Sequence, residues 1–173
     1  MPVRLIDELF VGGLEGCPFE PHVPTRIVPG TAVPRAFAGV DHACKHPCHA
    51  RAVKYAGTLP KTHPNYLWVE KGIHLALNMI DPDEPLFVPE TFVKAMDFID
   101  AARHAGPVLV HCNQGLSRAP SIALVYLAKR TSWIGDVHRS FEEARDAFSQ
   151  RWPWYAPGRG LVKFLTVMWP HLR

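Results

Sequence analysis

The sequence predicts an α/β fold: a single domain over residues 1–173 in which a central, mostly parallel sheet is flanked by helices. Strand-like and helical apolar patterns alternate along the chain. Pro107-Val108-Leu109-Val110-His111 is the short, continuous apolar run of a strand buried on both faces. No internal repeat, low-complexity tract or composition shift divides the chain, and at 47% hydrophobic residues it holds enough apolar material for one core without disulfides.

The elements follow in order. Leu5 to Gly13 reads as a first strand ending in a Gly-Gly turn, and Pro18, Pro21, Pro24, Pro29 and Pro34 then mark a long irregular connection, because proline donates no hydrogen bond and fixes φ. A second loop spans Thr58 to Asn65. Ile73 to Ile80 alternates as a half-buried strand and stops at Asp81-Pro82-Asp83-Glu84-Pro85. Phe92, Ala95, Met96, Ile99 and Ala102 recur at helical spacing after Pro89, which predicts a helix from about 90 to 104, closed by Gly106-Pro107. After the strand at 107–111, Ala119-Pro120 opens a helix with proline in its first turn. Two further amphipathic segments lie at about 137–150 and 160–168.

Charge and cysteine usage exclude several classes. Nineteen Lys and Arg against 16 Asp and Glu leave +3, with no basic run, so no nucleic-acid surface is expected. No stretch of about 18 apolar residues exists to cross a membrane, and Met1-Pro2-Val3-Arg4-Leu5 lacks a signal-peptide core. Four cysteines, at 17, 44, 48 and 112, are no disulfide framework, which predicts a cytoplasmic, thiol-reduced protein.

The chemistry concentrates in His111-Cys112-Asn113-Gln114-Gly115-Leu116-Ser117-Arg118, a loop between the buried strand and a helix start. Open α/β sheets bind ligands at the carboxyl ends of their strands. A loop curling into a helix N-terminus aims successive N–H groups at one point, which suits a tetrahedral anion; Gly115 permits the turn, and Arg118 adds a fork of donors matched to phosphoryl oxygens. The same field favours a thiolate over a thiol at Cys112. An inert buried cysteine needs no Arg six residues on.

These residues resemble the signature of the cysteine-dependent protein phosphatases, dual-specificity branch: His-Cys, any two residues, Gly, any two, Arg. The likeness runs in diluted form from about Leu5, through Leu77 to Asp81 and Phe98-Ile99-Asp100, to Arg130. The Cys44 to Tyr66 segment and the tail after about 131 resemble short phosphatases of phages and prophages. A rhodanese-like sulfurtransferase fits less well, since that family typically has four residues between Cys and Arg and this loop has five.

The resemblance implies hydrolysis of a phosphate monoester, phosphotyrosine or phosphoserine/threonine in a protein or peptide partner, through a cysteinyl-phosphate and without cofactor or metal. Asn113 to Arg118 would bind the phosphate, His111 would hydrogen-bond the loop backbone, and Asp81, or in second place Asp83, would protonate the leaving group. That pairing predicts a mildly acidic optimum in kcat/KM. The absence of Lys or Arg within Asn113 to Ser117 disfavours inositol polyphosphates. The family usually follows its Arg with Ser or Thr, which helps expel the thiolate in the second step; here Ala119 stands there, leaving open a phosphate-recognition module with little turnover.

His42, Cys44, His46, Cys48 and His49 form a second dense cluster, read against zinc for want of a distant second pair. The resemblance would set Lys45, His46 or Arg51 near substrate and make Cys44 a redox partner for Cys112. Trp152, Trp154 and Tyr155 are expected to pack between helices rather than to rim the pocket.

Overall fold

The computed structural model describes residues 3–14, the backbone of 38–43, and residues 48–133 and 140–173. The strands are β1 (Val3–Ile6), β2 (Leu9–Gly12), β3 (Ala38–Ala43), β4 (Trp68–Lys71), β5 (His74–Asn78) and β6 (Val108–His111). The helices are α1 (Cys48–Val53), α2 (Pro89–Arg103), α3 (Arg118–Arg130), α4 (Phe141–Ser149) and α5 (Arg159–Met168), with a closing 3₁₀ turn at Trp169–His171. One sheet runs β1-β2-β6-β3-β5-β4. Its four central strands are parallel, and β1 and β4 pair antiparallel at the two edges.

This is the predicted class, with corrections at its margins. The segment read as one strand over Leu5 to Gly13 is a hairpin, β1 to β2, turning at Asp7 and Glu8. Glu8 holds φ at 60°, a left-handed conformation uncommon for a residue with a side chain, so no glycine announces the turn. β3, α1 and β4 fall where the sequence predicts no element. The helix expected over 137–150 begins at Phe141, and its first expected residue, Val137, lies outside the described residues.

Successive strand residues point to opposite faces, and β4 uses this to show helices on both sides of the sheet. Glu70 meets Lys94 of α2 at 2.6 Å, whereas its neighbour Lys71 donates to the carbonyl of Ala52 on α1. The α2 face carries the larger core. Leu9, Val11, Leu75, Leu77, Val108 and Val110 point into it, and α3 is buried at every residue from Arg118 to Leu127. Phe92 stacks on Phe164 with ring centroids 5.2 Å apart, joining α2 to α5. Truncating such a ring to alanine costs about 3–5 kcal/mol. By comparison, the part-exposed pairs of Arg130 with Asp97 and Asp100 contribute about 1 kcal/mol at most. Apolar packing therefore outweighs these ion pairs in seating α2. Arg103 adds a polar tie to the hairpin, donating to the Asp7 carbonyl and to the Tyr126 hydroxyl, which in turn donates to Asp100.

The smaller face lies under α1, where fully buried His49 is a structural residue. Its Nε2 donates to the Asn65 carbonyl at 2.7 Å, and its Nδ1 lies 3.2 Å from the Tyr55 hydroxyl, so a neutral ring protonated on Nε2 satisfies both. Burial holds its pKa below the ordinary 6.5, partly opposed by the Asn65 carbonyl and reinforced by His63. A folded-state pKa below the unfolded one means the unfolded chain binds more protons, so this contribution is complete above pH 6.5 and is lost as pH falls below it. Urea midpoints at pH 7.5 and 5.5 should therefore fall more for the wild type than for His49→Gln; equal slopes would remove His49 from the account.

Candidate active site

β6 ends at His111, Cys112 to Ser117 form the loop, and Arg118 opens α3. The ladder between β2 and β6 continues into the loop, with Cys112 N–H donating to Gly12 O at 3.4 Å and Leu14 N–H to Asn113 O at 3.1 Å. Gly115 is required on two counts. Its φ is +72°, and a Cβ there would lie 2.8 Å from Gly12 C and 3.1 Å from Gly13 N. Ser117 caps α3 without a side-chain bond to its first turn. Pro120 has no N–H and Ser121 N–H is taken by Ser117 O, so the helix offers Arg118 and Ala119 N–H as its open first-turn donors. Cys112 is 2% exposed and His111 1%.

Arg118 is buried too. Its Nη1 donates to Met79 O at 3.1 Å, past the end of β5, and its Nε has no hydrogen-bond partner among the described residues. The nearest carboxylate to that Nε is Asp81, Oδ2 at 4.0 Å, with less than a quarter of its side chain exposed. Asp83 faces elsewhere: it is 70% exposed and pairs with Arg159 at 3.4 Å. The fold thus sets Asp81 beside Arg118 and leaves Asp83 at the surface.

The α4 to α5 connection holds the loop from outside, a role that sequence reasoning missed. Ala156 N–H donates to Leu116 O at 2.9 Å and Gly158 N–H to Ser117 Oγ at 3.0 Å. Ser121 Oγ donates to Ser117 O and receives the Tyr155 hydroxyl, both at 2.8 Å. Burial raises the Tyr155 pKa well above its ordinary value, which keeps that hydroxyl a donor. Trp152 and Tyr155 pack into the core as expected, but Trp154 is exposed. The available signal was Pro157-Gly158-Arg159-Gly160, a small-residue turn with nothing in its own helix to explain two glycines.

Residues 53–166 match the family model described as "Dual specificity phosphatase, catalytic domain". The chain belongs to the dual-specificity phosphatase family. Human dual specificity protein phosphatase 5 is 31% identical over 102 residues, which are 58% of this chain and 23% of that protein, so the match spans about a quarter of the relative. Two solved structures share the fold. The Yvh1 phosphatase domain from Chaetomium thermophilum has a TM-score of 0.56 at 23% identity, covering 98% of this chain and 94% of its own. A leucine-rich repeat and phosphatase domain protein from Entamoeba histolytica reaches 0.61 at 13% identity, covering 99% and 92%.

In this member of the family Cys44, Lys45 and His46 of the second His/Cys cluster lie outside the described residues, as does the side chain of His42. Cys48 is buried in α1, and His49 has both ring nitrogens engaged within the fold. Arg51 lines a recess with Val69, Lys71, His74 and Ala76. No helix among the described residues is long and apolar enough to cross a membrane. Gly115→Ala should lower stability by about 1–3 kcal/mol and abolish orthovanadate binding, because left-handed strain and the Gly12 backbone both oppose a Cβ. Urea melts with vanadate titration check this, and an unchanged Kd would contradict it.

Proposed function

We propose that this domain hydrolyses phosphate monoesters on proteins, phosphotyrosine or phosphoserine/threonine, through a cysteinyl-phosphate. The observation that supports the reading is a buried Cys112 at the start of the loop that ends at a buried Arg118, whose Nε has no hydrogen-bond partner among the described residues and lies 4.0 Å from the Asp81 carboxyl. Backbone amides of Asn113 to Arg118 and the Arg118 guanidinium bind the phosphoryl oxygens and stabilise the charge on them as it passes through the transition state. The Cys112 thiolate attacks phosphorus, forming S–P as the ester P–O bond breaks, and Asp81 gives its proton to the departing oxygen. In the second step Asp81, now a carboxylate, takes a proton from water as that water attacks phosphorus; S–P breaks, and phosphate and thiolate are released. Asp83, exposed and paired with Arg159, is the weaker acid candidate.

A second reading, a phosphate-recognition module with slow turnover, rests on Ala119. It is fully buried and carries no hydroxyl, and of the neighbouring hydroxyls Ser121 Oγ already donates to Ser117 O while Ser117 Oγ accepts from Gly158 N–H. With phenyl phosphate, Cys112→Ser should reduce turnover to background and Asp81→Asn should lower kcat by about 10²–10⁴-fold, and a phosphopeptide panel should show which residue is cleaved. A wild type that binds phosphopeptides without turnover would favour the module instead. Rapid mixing should show a burst of aryl alcohol followed by slower turnover, and Ala119→Ser should raise the steady-state rate; absence of both effects would exclude slow dephosphorylation.

A further inference from the structure

We infer that Gly158 is a positioning residue for the general acid: its missing side chain leaves the space that the Asp81 carboxyl occupies, while its N–H holds the phosphate loop. The inference rests on the reading of Asp81 as the acid.

A Cβ on Gly158 would lie 3.1 Å from Asp81 Cγ and 3.4 Å from Oδ2, and closer still to Oδ1. The backbone of Gly158, φ −61° and ψ 154°, is open to any residue, so the demand for glycine comes from its neighbour and not from its own conformation. What a Cβ would displace is the tip of a side chain with two torsions. The fold can accommodate that by turning the carboxyl away, and the acid position is what would be lost. Two residues on, a Cβ at Gly160 would meet the carbonyl oxygens of Pro82 and Glu84 and lie 2.9 Å from Glu84 C, so the backbone of the acid loop rests directly on the first turn of α5.

The two ion pairs across this contact, Asp83 with Arg159 and Glu84 with Lys163, are exposed and contribute little. Close packing holds the loop: Phe87 lies against Phe164 at 5.7 Å between ring centroids, and the glycines admit the loop backbone. Through Gly158 N–H to Ser117 Oγ the same turn is bonded to the Cys112 loop. The acid loop and the Cys112 loop are therefore both held by one short segment that contains neither.

The test is leaving-group dependence. For p-nitrophenyl phosphate, whose leaving group departs readily as an anion, Gly158→Ala should change kcat/KM less than about threefold; for phenyl phosphate, which needs a proton, it should lose roughly tenfold or more. Orthovanadate inhibition should be unchanged, and in an Asp81→Asn background Gly158→Ala should cost nothing further. Gly158→Ser restores a favoured helix cap but carries the same Cβ, so it should behave like alanine. Equal loss on both esters, loss of vanadate binding, additivity with Asp81→Asn, recovery in Gly158→Ser, or failure of both variants to fold would each overturn the inference. If the wild type turns over neither ester, or Asp81→Asn shows no leaving-group preference, the reading of Asp81 fails and takes this inference with it. If Asp81→Asn is selective and Gly158→Ala is not, the inference alone fails.

Discussion

A loop that turns its amides inward toward one anion must turn its carbonyls outward, and buried carbonyls need donors. Leaving one unpaired costs about 1–3 kcal/mol. Here the donors come from three directions: Leu14 N–H beyond β2 takes Asn113 O, Ala156 N–H takes Leu116 O, and Ser121 supplies both its N–H and its hydroxyl to Ser117 O. Gly115 is the point where this arrangement is tightest, since its Cα lies against the Gly12 backbone. The shape of the loop is thus a property of the ends of β2 and β6, of α3 and of the α4 to α5 turn together, more than of the loop sequence.

The same reasoning separates two carboxylates that the sequence places two residues apart. Asp81 and Asp83 share one proline-rich loop, yet Asp81 sits in a space bounded by Arg118 and Gly158 while Asp83 extends to a solvent-exposed guanidinium. Composition and local spacing treat them alike. Their difference arises from a helix start more than seventy residues away in the chain, where glycines let the loop backbone settle.

Much of the fold and of the site was legible because it rests on local rules. The apolar run ending at His111, the proline in the first turn of α3 and the periodic face of α2 each mark an element by its own residues. β3 was not legible. Ala38-Gly39-Val40-Asp41-His42-Ala43 has neither an apolar run nor β-branched density, and it is a strand because β5 and β6 hydrogen-bond it on both sides. β4 is a short edge strand of mixed polarity, and the β1 to β2 turn uses Glu8 where a glycine would have been the signal. At the site, Cys112, Gly115 and Arg118 could be read from spacing. The outward donors could not, because a backbone N–H has no letter in the sequence.

The bond from Gly158 to Ser117 has a consequence for biosynthesis. The two residues are 41 positions apart, and the later one closes the loop around the earlier. At roughly 5–20 residues per second, the ribosome adds that interval in about 2–8 seconds. During this time the nascent chain carries the complete phosphate-loop motif without the turn that holds it. The motif therefore exists as sequence before it exists as a site, and a chain halted between α3 and α5 would display every residue of the motif without the geometry that gives it chemistry.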